Sequence, residues 1–329
     1  MRRIGLAVGL ALGLALAPLV VEAQESSKSA RVGVLIPGIA PAALRHAPVF
    51  LALRDGLAQL GYREGQNLVL EVRSAEHQTA FDGPAQYLVQ LKVDVIVAVG
   101  AASARSAKSA TQTIPIVGVS VGGDPVAMGL AQSIARPGGN FTGFLYGETE
   151  TGKSLQLMQE ALPEVTRAGL VWNPDNPIAR DFLDSWNAAA RTRGLSLRSI
   201  RATSLEELDA AFASLAADKI RAVFVNGNPV WVIYSKRAAE IGLRHRIAAI
   251  WDHFAIAQAG GLMAYAPDII DQFRQAAGYV KKILDGAKPG DLPIQYPSRW
   301  TLVVNLKTAK AIGVTLSPAT LTRADQIIE

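Results

Sequence analysis

The chain has 329 residues, half of them hydrophobic and 19% charged, with a formal net charge of +5 and no cysteine. That is length enough for two domains with sizeable cores, and the missing thiol excludes disulfides, thiolate metal sites, a cysteine nucleophile and a cysteine-borne lipid anchor. The basic residues are scattered, with no Lys/Arg cluster and no aromatic-rich basic strand, so the composition argues against a nucleic-acid surface.

The N-terminus is expected to be a targeting segment. Arg2 and Arg3 precede an apolar run over 4–21 that contains Pro18, and Val21-Glu22-Ala23 fits a small-x-small cleavage rule. Residues 1–23 then form a cleaved signal peptide, the mature chain starts near Gln24, and 24–30 is a disordered lead-in. An uncleaved anchor is the competing reading, since a run of this length just spans a bilayer. An exported, cleaved chain without a lipid anchor works in the periplasm.

Strands and helices then alternate. The first strand, 31–36, ends at Pro37-Gly38. A helix over 48–60 carries Phe50, Leu51, Leu53, Leu57 and Leu60 at helical spacing. Strands at 68–72 and 93–99 flank a helix at 84–91. Gly100-Ala101-Ala102-Ser103 opens another helix, ending near 111. The β-branched run 116–121 is a buried strand broken by Gly122-Gly123. Asp124-Pro125 predicts a fresh helix, with Asp as cap and Pro at its first position. That helix stops before Arg136-Pro137-Gly138-Gly139-Asn140, and a strand at 142–146 follows. The punctuation at 136–143 is read as the exit from one α/β lobe into a second.

The second half keeps the rhythm. Helices are expected at 152–161, 178–193, 205–216, 230–244, from 254, at 269–284 and at 306–312. Strands are expected at 168–172, 195–200, 222–225, 248–251, 262–265 and 301–305. Alternation of this kind predicts an α/β protein with two doubly wound parallel-sheet lobes. In such sheets ligands bind beyond the carboxyl ends of the strands.

Candidate binding residues follow from that rule. Strand, polar cap and proline recur at Asp124-Pro125, at Trp172-Asn173-Pro174-Asp175-Asn176-Pro177 and at Asn226-Gly227-Asn228-Pro229. Each puts a helix N-terminus at the ligand edge, and Ala101, Ala102 and Ser103 do the same with small residues that let an anion approach backbone amides. The competing reading of each loop is ordinary capping. Pro37, Tyr146 and Trp251 lie at strand ends too, with Trp172, Trp231 and Phe254. Asp252 either pairs with a ligand ammonium or caps the next helix. A carboxylate-bearing ligand with a flat or apolar body is expected, with Asn173, Asn176, Asn226 and Asn228 supplying polar contacts from the second lobe. No catalytic constellation is visible: His46, His77, His245 and His253 lack metal-ligand spacing, and no P-loop, G-x-S-x-G or H-E-x-x-H occurs. A non-enzymatic protein without cofactor or metal is expected.

Several segments together resemble a known family. They are Arg31-Val32-Gly33-Val34-Leu35, Leu60-Gly61-Tyr62 with Gly65-Gln66-Asn67, Asp124-Pro125-Val126, 136–143, 172–177, 260–265 and 305–313. The chain is similar to the substrate-binding proteins of ABC uptake transporters, in the tryptophan/tyrosine-type branch. The resemblance implies a type I periplasmic-binding-protein fold whose lobes are joined by a three-crossover hinge and close on a small molecule. Lobe 1 would be 31–141 completed by 264–297, and lobe 2 would be 142–263 completed by 298–329. It also implies delivery by a monomer to an inner-membrane ABC permease. A periplasmic ligand sensor on the same fold is the alternative.

Overall fold

A computed structural model describes residues 29–37, 41–75, 80–147, 151–176, 179–226 and 229–329. The expected signal peptide and most of the lead-in lie outside the described residues, as do Gly38 and Asn228. Among the described residues no helix is long and apolar enough to cross a membrane.

In chain order the first half holds β1 (Ala30–Pro37), α1 (Pro41–Leu44), α2 (Pro48–Gln59), β2 (Leu68–Ala75), α3 (Asp82–Gln90), β3 (Val95–Val99), α4 (Ala101–Ala110), β4 (Ile116–Val121) and β5 (Phe141–Leu145). The second half holds α5 (Thr151–Ala161), β6 (Arg167–Trp172), α6 (Ala179–Thr192), β7 (Ser196–Arg201), α7 (Leu205–Ala217), β8 (Ala222–Val225), α8 (Pro229–Ile233), α9 (Ser235–His245), β9 (Ala248–Trp251), α10 (Phe254–Gln258) and β10 (Met263–Pro267). Then come α11 (Ile269–Leu284), a 3-10 turn (Pro289–Asp291), β11 (Trp300–Asn305), α12 (Leu306–Ile312), α13 (Pro318–Arg323) and β12 (Gln326–Ile328).

Two sheets result. The first has the order β2-β1-β3-β4-β5 and is parallel throughout. The second has the order β12-β11-β10-β9-β8-β6-β7. It is parallel except where β10 and β11 run antiparallel. Strands such as β3, whose five residues are all buried, read as unbroken apolar runs because helices cover both faces. On the first sheet, α11 lays Phe273, Ala276, Ala277, Val280 and Ile283 against the core built by Phe50, Leu53 and Leu57 of α2. Those α11 positions recur every three or four residues, the spacing of one helix face. Asp268 caps α11 by accepting from the Asp271 amide at 3.0 Å, so this helix begins and ends where the sequence predicts.

Three expectations need correction. The helix after Asp124-Pro125 is a single turn. The Asp124 carbonyl accepts from Met128 at 3.0 Å, but Gly129 turns left-handed at φ +70°, and the amides of Leu130 and Ala131 both fold back to the Pro125 carbonyl. The expected helix over 230–244 is two, α8 and α9, separated at Tyr234. The lobe exit is not at 136–143. Phe141, Thr142 and Gly143 pair with Ile116, Val117 and Gly118, so β5 completes the first sheet and the chain leaves it only after Leu145. An expected boundary at 141/142 therefore falls inside β5, and the one expected at 263/264 falls inside β10 of the second sheet.

The 136–143 stretch instead forms a clip at the edge where β4 and β5 begin. Asn140 is buried; its Oδ1 accepts from Lys108 Nζ at 2.6 Å, and its Nδ2 donates to the carbonyls of Thr111 and Ile114. Burial lowers the Lys108 pKa. Gly143 must be glycine: its φ is +140°, and a Cβ would sit 2.1 Å from the Gly118 carbonyl oxygen.

The two sheets are joined by three links, after β5, between β10 and α11, and between Ile294 and β11. Backbone bonds tie them: Leu145 donates to Gln295 at 2.8 Å, Gln295 to Gly143 at 2.9 Å and Asp268 to Arg299 at 3.1 Å. The Gln272 side chain donates to the Leu145 carbonyl at 2.9 Å.

Candidate functional site

The carboxyl ends of β1 to β5 and of β6, β8 and β9 form the two edges that a ligand would meet. At the first edge, Pro37 pairs with Ala75 at the ends of β1 and β2 and is half-buried. Gly100, at φ +84°, turns the chain from β3 into α4. Ala101 is buried, Ala102 half-buried and Ser103 fully buried. The Ser103 hydroxyl donates inside its own turn, to the carbonyls of Val99 at 2.6 Å and Gly100 at 3.1 Å. The Ser103 hydroxyl is thus spent on the first turn of α4. Asp124 is exposed, and its Oδ1 accepts from the Val126 amide at 2.8 Å, capping the single turn.

At the second edge, Asn173 is buried and its Oδ1 accepts from the Asp175 amide at 2.9 Å. Asn176 leads into α6 through its carbonyl, which accepts from Ala179 at 2.9 Å. Asn226 is half-buried just past β8, its amide donating to Val171 at 3.0 Å. Asn228 lies outside the described residues. Trp251 is 1% exposed and stacks on Phe212 with ring centroids 6.2 Å apart, so its ring is part of the lobe core. Trp231 is buried in the same core. All four residues of β9 are buried, which explains why its last residue turns inward.

One contact joins the edges. The Tyr146 hydroxyl donates to the Asp252 backbone carbonyl at 2.7 Å, while the Tyr146 amide donates to Val121 at 2.8 Å. Burial pushes this phenol well above its usual pKa, and the Asp252 charge adds to the effect. The helix after β9 is capped by His253, not by Asp252: Nδ1 accepts from the Ala255 amide at 3.3 Å. Burial lowers the His253 pKa to about 4, which keeps the ring neutral and the cap intact near pH 7.

Sequence reasoning missed two further aromatics at this junction. The ring of Trp300 lies 5.1 Å from that of Tyr265 and 6.1 Å from that of Tyr146. Their signal was position: Tyr265 lies in the strand that enters a crossover, and Trp300 begins the strand that leaves one. Among the described residues no group of three or more His, Cys, Asp or Glu side chains could hold a metal.

A two-lobed α/β protein with opposed strand ends is the build of a capture device, and the family comparison decides which. The family model for ABC transporter substrate binding proteins matches residues 47–328. The chain belongs to that family. As a substrate-binding protein it is not an enzyme, and its fold is that of the type I periplasmic binding proteins. A relative described as a tyrosine-binding protein, from Clostridioides difficile, is 25% identical over 259 residues, which span 78% of this chain and 74% of the relative. Among solved structures, a conserved domain protein of Vibrio cholerae is 27% identical with a TM-score of 0.83, covering 91% of this chain and all of that one. A Streptococcus pneumoniae ABC domain in complex with L-Trp is 23% identical with a TM-score of 0.80, at the same coverage.

Proposed function

We propose that this substrate-binding protein captures an aromatic amino acid, or a closely related carboxylate, between its two lobes and delivers it to an inner-membrane ABC permease. It works in the periplasm after removal of residues 1–23. The observation that carries this reading is the Tyr146–Asp252 bond, which links the strand ends of one sheet to those of the other at 2.7 Å. Asn226 and Asp252 follow paired strands on the second edge, and the start of α4 and Tyr146 both bond to the end of β4 on the first. The tyrosine-binding relative and the L-Trp complex support an aromatic amino acid as the class.

A thermal-shift panel of amino acids, aromatic acids, sugars and nucleosides tests it. L-tyrosine or L-tryptophan should raise Tm progressively, by the equivalent of about 2.7 kcal/mol at a hundred times Kd. A response confined to neutral sugars overturns the ligand class. Mass spectrometry of the periplasmic fraction should find a chain starting near Gln24, and a full-length chain in the inner membrane would reverse the export reading.

A further inference from the structure

Four non-glycine residues among those described have positive φ: Lys92, Ser120, Lys219 and Arg246. Lys92, Lys219 and Arg246 follow the ends of α3, α7 and α9, where a left-handed residue commonly closes a helix. Ser120 is different. It stands inside β4 at φ +54°, where the pairing with β5 shifts register between Gly118 and Val121.

The effect on side chains is specific. In a regular strand, alternate residues share a face. Ile116, Gly118 and Ser120 would then point to one side, and Val117, Val119 and Val121 to the other. Val117 and Val119 do pack in one core, but Val121 packs with Ile116 in the opposite one. Val121 reaches that side because Gly118 has no side chain: a Cβ there would lie 2.7 Å from a Val121 methyl. The bulge thus exchanges Val121 for Ser120 in the core and leaves Ser120 half-buried between two fully buried valines. No hydrogen-bond partner for its hydroxyl occurs among the described residues. Bulges often re-aim a side chain beside a functional site.

Its neighbours are those of the ligand edge. The Val119 carbonyl accepts from Gly100 at 2.9 Å, which places the start of α4 on one side. The Val121 carbonyl accepts from Tyr146 at 2.8 Å, which places the interlobe phenol on the other. We propose that Ser120 is a ligand-contacting residue, held in a left-handed bulge so that its hydroxyl donates to the carboxylate of the bound amino acid. This rests on the proposed function and names the group that reads the carboxylate.

The test uses the mature wild-type chain and the variants Ser120→Ala and Ser120→Gly. Calorimetry compares L-tryptophan and L-tyrosine with tryptamine and tyramine, which lack the carboxylate. Both variants should bind the amino acids about five- to tenfold more weakly, the effect of one lost hydrogen bond, with binding of the amines unchanged. Equal Kd values for wild type and variants toward the amino acids overturn the proposal, and so does equal weakening toward the amines. Melting without ligand supplies a second reading. Ser120→Ala should leave Tm within about 1 °C of wild type and Ser120→Gly should raise it by about 2 °C, because glycine accepts positive φ freely. A large drop in Tm for Ser120→Ala would make Ser120 a structural residue and overturn the assignment. If wild type responds to none of the four probes, the proposed function falls, and the ligand-free melts still decide whether Ser120 is held in strain that the fold does not need.

Discussion

Single hydrogen bonds set the behaviour of the two edges. Tyr146→Phe keeps the ring against Trp300 but deletes the interlobe bond to Asp252, so ligand affinity should fall about fivefold in calorimetry and Tm should drop by about 2–4 °C. Because the folded protein raises this phenol's pKa, the stability it contributes is present below the ordinary value near 10 and is lost only as pH rises beyond it. The bond should therefore be indifferent to pH between 5 and 9. His253 behaves oppositely. Its pKa is lowered from 6.5 to about 4, so the unfolded chain takes up a proton first. Stability present above pH 6.5 is lost as pH falls toward 4, by about 2 kcal/mol once the residue's partial exposure is allowed for. Urea midpoints at pH 7 and pH 4.5 should show the loss, and His253→Asn, which keeps a capping acceptor, should flatten it. A variant with the same pH slope as wild type would assign the loss to other groups. Trp251→Phe should leave ligand affinity unchanged, since that ring lies in the core.

Elements were readable where local chemistry and burial agree. The span of α11 follows from Asp268 as cap, apolar residues on one face and Lys281 and Lys282 in the last turn. The segment after Asp124-Pro125 carries the same signals, and Leu130 does reach the core with Met128, Ala131 and Ile134 packed against it. It buries them as turns because Gly129 breaks the backbone and Gln132 bonds to the Pro137 carbonyl at 2.7 Å, a contact that sequence spacing does not encode. The clip at 136–143 was recognisable as punctuation, but its role was not. Nothing in Pro-Gly-Gly-Asn says that the next strand pairs with the previous one. The clip's importance is testable: Asn140→Ala leaves two buried carbonyls and Lys108 without their partner and should cost about 2–3 kcal/mol in urea unfolding. At the candidate site, Tyr146 and Asp252 were legible as residues just past strand ends, but not that they bond to each other. Nor does strand-end position tell that the Ser103 hydroxyl bonds within its own turn and that the Trp251 ring points inward. Ser120 was hidden because alternation predicts a regular strand.

At the scale of the molecule, closure of the two sheets about their three links is the response to ligand that this fold predicts. Small-angle scattering should give a smaller radius of gyration with L-tryptophan or L-tyrosine than without, and an unchanged radius under saturating ligand would count against closure. Tyr146 sits beside one link and reports on the motion, so Tyr146→Phe should reduce the change in radius. The docking of α11 on α2 carries a last consequence, in time rather than in space. A ribosome delivers α2 early and α11 late, with the whole second sheet up to β10 made in between. The first lobe thus has no finished core until Ile269–Leu284 has emerged, and the second waits for β11 and β12. Neither half of the chain therefore carries a complete core by itself, and a truncation before Ile269 should leave both sheets without a partner they need.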